Sequence, residues 1–420
     1  MVTTLGFIRR MQSRGLPTLA IPAARSFVAV AAIAYLVDLF QQTRAQLTNG
    51  LGRPFGDDFI NYWSGAYLAW HGRASEIYDM AAFHAFEQSV VGPALSNYHY
   101  SYPPVNLLLT APLAFVPYVP ALTLWLLLGW AAFYGALRLA MPHGGALLLA
   151  LAAPAVFINA LGGQNGMWTA ALFGGGLGLL DRRPLFAGAL LGLLVFKPQL
   201  GVLIPFALLA GGHWRAFAAA AVVALSLVGL SVAGFGFALW ADYARNLAML
   251  RHLILEDGSG VWHRFVTVFV AARRLGASVE TAYAMQLAAA ALACVVVVWV
   301  WFRESEAGVR NAVLLLCSSF ATPYLQDYDL VFGALVVAWL WHAPSVAAKS
   351  NRPLLIACGL VLLLPLLTAP LAIVTGLCVG PLLLLPALLV AVQGAWHAGS
   401  VAAPVPQGGL VAEADRPAAG

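Results

Sequence analysis

The chain has 420 residues, 61% of them hydrophobic and only 9% charged, with a mean hydropathy of +0.83. Soluble domains carry about 25% charged residues to solvate their surface, so a water-facing globular fold is excluded and lipid is the solvent. The net charge of +5 does not indicate nucleic acid as a partner, because the basic residues are scattered through short loops with no basic stripe.

From the N-terminus, Arg9, Arg10, Arg14 and Arg25 precede an apolar run, Ser26 to Phe40, that no small-x-small cleavage site follows. Residues 1–25 are expected in the cytoplasm and the run as an uncleaved first crossing of a membrane domain, 26–398. The longest polar stretch, 45–103, then lies outside. Within it DDFINYWSGAYLAWH, Asp57 to His71, reads as a helix closed by Gly72 as a left-handed cap. Trp63, Tyr67 and Trp70 share one face, and Asp58, Asn61 and Gly65 another. Asp79 reads as the cap of a second helix through Val91, with Phe83, Phe86 and Val90 as its apolar stripe. Short amphipathic helices beside a membrane lie in the interface plane, so the loop is expected to form a lid. The run Tyr98-His99-Tyr100-Ser101-Tyr102-Pro103-Pro104 either anchors the interface or offers rings to a sugar.

Apolar segments follow at 104–118, 121–140, 146–161, 167–180, 185–196, 199–210, 216–235, 282–302, 309–325, 330–342, 353–367 and 375–396. With the first run they predict an all-α, polytopic helical bundle of about 12 crossings. The shorter ones imply helices broken around a cavity. Loops at 181–183, 213–215, 303–310 and 349–352 carry the basic residues expected on the cytoplasmic side. Lys197-Pro198-Gln199, the loop 236–264 and Gln326-Asp327-Tyr328-Asp329 then share the outer side with 45–103. Three apolar segments between Tyr102 and Gln164 would put Gly163-Gln164-Asn165 inside, whereas Arg182 and Arg183 require it outside. One segment must be incomplete, and Pro154 points to the third. The Pro/Gly/Ala-rich stretch 399–420 is expected as a disordered cytoplasmic tail.

Several residues could carry chemistry. Of Asp57 and Asp58, heading the outer helix, one can cap it while the other acts as a base on a hydroxyl. Lys197, one of two lysines, sits in an apolar region where an unpaired ammonium costs at least about 2.5–3.5 kcal/mol. It either meets an anion such as a lipid phosphate or snorkels to the interface. Gln164 and Asn165 offer amide groups between glycines, or simply make the turn. Asp327 and Asp329 are carboxylates at the membrane edge, where such groups are functional or paired. Arg245, Arg251, His252, His263 and Arg264 can bind phosphate, pair with these acids or face solvent. Histidines never recur with carboxylates at ligand spacing, so neither a metal nor another cofactor is expected. The four cysteines lie in apolar stretches and read as core residues, and Gly174-Gly175-Gly176 as helix packing.

The segments DDFINYWSGAYLAWHGRASEIYD, YSYPPVNLLLTAPLAFVP, GGQNG, FKPQLG and QDYD, in that order over residues 55–342, resemble the polyprenol-phosphate-mannose-dependent α-mannosyltransferases of glycosyltransferase family 87. The resemblance implies a GT-C-type helical bundle in the plasma membrane with interfacial helices in the first outer loop. It also implies metal-free, inverting transfer from a polyprenyl-phosphate sugar, with the catalytic aspartate of that loop falling on Asp58. A glycolipid or glycan would be the acceptor at the extracytoplasmic face. Asp57, Tyr62, Trp63 and Tyr102 would shape the sugar site; Gln164, Asn165, Gln199, Gln326, Asp327 and Asp329 would line it; Lys197, His263 and Arg264 would meet the phosphate. A lipid-linked sugar transporter or flippase shares the crossings but should show paired repeats, and none is found. A glycan polymerase or ligase normally has its long loop later in the chain.

Overall fold

The computed structural model describes residues 20–401 apart from 143–144, 259, 304 and 348–350. The expectations for Arg9, Arg10, Arg14, Lys349 and residues 402–420 lie outside the described residues. Among those described, five helices are long and apolar enough to cross a membrane: Ile21–Gln41, Tyr118–Ala140, Trp214–Phe235, Val279–Phe302 and Arg352–Thr375. Four shorter apolar helices accompany them, Pro184–Phe196, Pro198–Ala210, Ala307–Ala321 and Gly380–Trp396. Large apolar side chains stand on the outside of the long helices, among them Leu127, Leu225, Leu287 and Phe302. Water would not tolerate so much exposed hydrocarbon, and lipid does. This is a membrane protein.

We label α1 (Ala20–Gln41), α2 (Phe59–Trp70), α3 (Met80–Val91), α4 (Tyr118–Ala140), α5 (Gly166–Leu179), α6 (Trp214–Phe235), α7 (Phe237–Leu250), α8 (Val279–Phe302), α9 (Ala307–Ala321), α10 (Gly333–His342), α11 (Asn351–Thr375) and α12 (Gly380–Val401). The core gathers around α5, α9 and α10, in which most residues are buried. The 15 residues of α9 span about 22 Å, short of the hydrocarbon thickness, and other helices wrap them. In α5 a methyl at Gly174 would meet the Cβ of Ala136 at 2.8 Å, so the glycine run serves close packing against α4. By contrast α1 leaves Val30, Ile33, Leu36 and Phe40 exposed and sits at the periphery.

The incomplete segment before Gln164 is not the third alone. Residues 104–118 form only the short helix Val105–Leu109 and a 3-10 turn, Ala111–Phe115, punctuated by Pro104, Pro112 and Pro117. The third is split into Ala146–Ala152 and Pro154–Leu161 at Pro154, as expected. Only α4 is long enough to cross unbroken, and the split third segment returns the chain to Gln164, which meets Asp58 of the stretch 45–103. The stretch 236–264, expected as a loop, is largely helical: α7 runs into a wide π-helical turn, Arg251–Glu256. Helix α11 continues through Pro365 and Pro370 instead of ending near 367, which neighbouring helices permit in a membrane bundle.

Loops expected to share the cytoplasmic side do meet: Arg310 pairs with Asp181 at 2.6 Å, and His213 packs edge-on against Trp301. In the stretch 45–103 α2 and α3 occur where expected, with Gly72 left-handed at φ +77° and Asp79 accepting from the amides of Ala81 and Ala82. However, α2 is enclosed rather than laid on a surface, with ten buried residues from Phe59 to Ala69.

Candidate functional site

The turn before α2 is held from three directions. The Gly56 amide donates to Gln42 beyond the end of α1. The Arg53 guanidinium reaches Asp57 at 3.0 Å, Asp38 of α1 at 2.7 Å and the Leu161 carbonyl at 3.1 Å. Tyr98 donates to the other oxygen of Asp57 at 2.6 Å. Asp57 thus has both carboxylate oxygens engaged, at a left-handed φ of +49° that Asp tolerates better than most residues. It is the bracket of the turn and does not cap α2. Asp58 occupies the cap position without a capping bond. Its carboxylate turns instead to the side-chain amide of Gln164, which donates to it. Burial, and then the charge of Asp57, raise the Asp58 carboxyl to about 7 against the pull of Arg264, Arg53 and Gln164. A carboxylate poised near neutral pH suits a general base.

The GGQNG turn is wedged between two segments. A Cβ at Gly163 would lie 2.2 Å from the Gly56 carbonyl, and one at Gly166 2.2 Å from the Tyr328 carbonyl. Only glycine lets this backbone press against both the outer loop and the QDYD stretch. From it runs a continuous set of hydrogen bonds. Tyr62 donates to Gln164 at 3.0 Å, the Tyr62 and Tyr102 hydroxyls are 2.8 Å apart, and Asn165 donates to Tyr102 at 3.0 Å. Lys197 donates to Asn165 at 3.0 Å and forms an ion pair with Asp329. Asp329 in turn accepts from the Gln326 amide. Lys197 is 3% exposed and Asp329 1%, so the ammonium is met by its own counter-ion inside the protein.

A second acid–base pair lies beside the first. Arg264 binds Asp327 through Nε and Nη2, at 3.0–3.3 Å. A one-residue bridge between Phe265 and Gln326 sets that register. Arg264 and Lys197 lie over the Tyr328 ring, 5.4 and 5.0 Å from its centre.

Two cavities open here. The larger, about 590 Å³, is lined by Asp57, Asp58, Asn61, Tyr62, Gln164 and Arg264, with Ser96 to His99 and Leu253. The smaller, about 270 Å³, is lined by Lys197, Gln199, Asp329, Phe196, Leu247 and Leu250. Ser101, Tyr102, Ile254, Gln326 and Tyr328 border both. The structure therefore brings Asp58, Asp57, Tyr62, Tyr102, Gln164, Lys197, Gln199, Arg264, Gln326 and Asp329 to the cavity walls. Asn165 and Asp327, expected to line the site, instead stand behind them as partners of Tyr102 and Lys197 and of Arg264.

Two expected residues stand apart. Trp63 is 7% exposed, donates to the Val116 carbonyl and stacks on Tyr67 and Phe86, so it builds the loop's core. His263 bonds the Gly260 carbonyl and borders neither cavity. Of the other basic residues, Arg245 pairs with Asp242, and Arg251 and His252 with Glu256. Sequence reasoning passed over Arg53, read Tyr98 only as an interfacial anchor or sugar-stacking ring, and gave Tyr328 no role of its own. The spacing of Arg53 four residues before Asp57 and the place of Tyr328 between two acids were the available signals. Among the described residues no group of three His, Cys, Asp or Glu is placed to hold a metal ion.

The sequence model of glycosyltransferase family 87 matches residues 100–323, more than half of the chain and the part that carries GGQNG, FKPQLG and Arg264. No curated protein and no solved structure matches. The chain belongs to glycosyltransferase family 87, and it is a membrane-embedded glycosyltransferase.

Proposed function

We propose that this family 87 enzyme moves a hexose, with mannose the first candidate, from a polyprenyl-phosphate donor to a hydroxyl of a glycolipid or glycan acceptor, inverting the anomeric centre at the extracytoplasmic face. Asp58 takes the acceptor's proton as its oxygen attacks the anomeric carbon. The bond from that carbon to the phosphate oxygen breaks, and polyprenyl phosphate leaves with the electron pair. The leaving group needs little activation, so the protein's work is to orient the reactants and stabilise charge developing on the phosphate; orientation alone can supply about 7–11 kcal/mol.

The single observation that carries this reading is the placement of Asp58, with its carboxyl raised to about 7, on the wall of a 590 Å³ cavity that also holds a cation. That cation is Arg264. Asp327 fixes its Nε and one N–H of Nη2, which leaves Nη1 and the second N–H of Nη2 for a phosphate oxygen. Lys197 is engaged by Asn165 and Asp329, which favours it as an internal anchor over a phosphate ligand. Tyr62 and Tyr102 offer ring and hydroxyl to the sugar.

The test is to incubate membranes containing the protein with radiolabelled polyprenyl-phosphate mannose and extract the glycolipids. Label appearing in a new glycolipid or glycan supports the proposal. Donor carried across the bilayer without transfer favours a flippase and removes it. Label in long glycan chains favours a polymerase.

A further inference from the structure

The chain of hydrogen bonds between the two cavities has a direction, and the direction follows from the chemistry of its ends. Lys197 has only protons to give, so Asn165 must receive at its carbonyl oxygen and turn its amide protons towards Tyr102. At the other end an ionised Asp58 can only accept, so Gln164 must present its amide nitrogen there and its oxygen to Tyr62. Each tyrosine has one proton. Tyr62 spends its proton on Gln164, so the bond between the two phenols must run from Tyr102 to Tyr62. Every donor along Lys197, Asn165, Tyr102, Tyr62 and Gln164 thus points towards Asp58, and the orientations deduced from the two ends agree at the middle.

We propose that Tyr102, Tyr62, Asn165 and Gln164 are positioning residues that hold Asp58 as an oriented, ionised base, with Lys197 and Asp329 fixing the polarity of the chain. The inference rests on Asp58 being the base. A protonated Asp58 accepts from Gln164 at its carbonyl oxygen more weakly than the carboxylate does, and with its O–H turned to Gln164 it needs an acceptor where Gln164 offers a donor. Turning the Gln164 amide over would make Tyr62 donate to Tyr102, which already receives from Asn165, and the Tyr102 proton would lose its place. The chain therefore favours the carboxylate over the acid and resists reversal. Because Tyr102 borders both cavities, whatever enters the smaller one lies against the link that governs the base in the larger one.

The other ionisable groups acting on Asp58 come from several elements. They are Asp57 and Arg53 from its own turn, Glu87 from α3, and Arg264 after the π-helical turn. The phenols of Tyr62, Tyr98, Tyr102, Tyr118 and Tyr328 also face it. None of these groups is altered in charge at neutral pH by the variants below.

The experiment is the pH dependence of kcat/KM for the full-length protein, wild type against Tyr102→Phe and Asn165→Leu. Asn165 borders neither cavity, so its effect cannot arise from lost sugar contacts. In both variants the acid limb is expected to move to higher pH, by up to about one unit, since each removes two bonds of the chain while leaving the Gln164 bond to Asp58 in place. An acid limb unmoved in either variant, whatever the change in rate, overturns the proposal. If Asn165→Leu does not fold, Tyr102→Phe decides alone. Wild-type activity in Asp58→Asn would instead remove the underlying base assignment, so the two failures are distinguishable.

Discussion

The two polar ends of the bundle use the same residue types for different ends. At one, Arg310 pairs with an Asp181 whose side chain is 54% exposed, while the guanidinium groups of Arg303 and Arg310 rest on the rings of Trp299, Trp396 and Trp301. At the other, Lys197, Asp327 and Asp329 are all buried, and their partners line cavities. Arginines over tryptophan faces suit a membrane boundary. Ions withdrawn from water at a cost of several kcal/mol each mark a place where something other than stability is being maintained. Charge in the sequence identifies both ends; burial separates the boundary from the site.

The strongest way to break that comparison is to neutralise the cavity cation. Arg264→Gln, in an Asp327→Asn background so that no carboxylate is stranded, is expected to lower the rate of sugar transfer by about 10²–10³-fold with the fold intact by circular dichroism. Unchanged transfer would place the phosphate elsewhere. The Asp58 carboxyl sharpens the contrast further. A base raised to about 7 by burial and by Asp57 must lose its proton to work, so kcat/KM is expected to rise roughly tenfold per pH unit below about 7 and level off above it. A flat profile between pH 5.5 and 8 would contradict that role.

Glu87 gives a third test. It is fully buried in α3 with neither carboxyl oxygen bonded, and burial, then the charge of Asp58, push its carboxyl well above the usual range. The folded protein holds this proton more tightly than the unfolded chain does, so stability is lost as pH rises above about 4.3. Glu87→Gln is expected to gain about 1–3 kcal/mol at pH 8 and much less at pH 4.5, read as the pH dependence of Tm. An equal gain at both pH values would show the carboxyl to be ionised or paired. At the opposite end Asp181→Asn should cost about 1 kcal/mol, because the carboxylate it removes is 54% exposed although its partner Arg310 is largely covered, and should leave transfer unaltered. A tenfold loss of activity there would erase the distinction between the ends.

Much of this organisation was legible in the residues. Low charge and long apolar runs give the membrane bundle, and the Gly72 and Asp79 caps set the helices of the stretch 45–103 where they are found. The pairing of chemistry was less legible because it is long-range. Gln164 meets Asp58 across 106 positions and Lys197 meets Asp329 across 132, and no local period records such contacts. The doubled Asp57-Asp58 also misled: a cap and a base were expected, whereas Asp57 is held by Arg53 and Tyr98 and neither residue caps the helix. Proline and glycine explain the rest. Pro104, Pro112 and Pro117 break a run that hydropathy alone reads as a crossing, while Pro365 and Pro370 break nothing because packed neighbours support α11.

The central claim is that one carboxyl group in the outer loop performs the proton transfer. Its most direct test is sugar transfer by purified, folded Asp58→Asn beside Asp57→Asn and wild type, with a polyprenyl-phosphate hexose as donor. The account expects Asp58→Asn to lose about 10²–10⁴-fold in kcat while donor binding persists, and Asp57→Asn to lose stability before activity. Transfer by Asp58→Asn at the wild-type rate would contradict it.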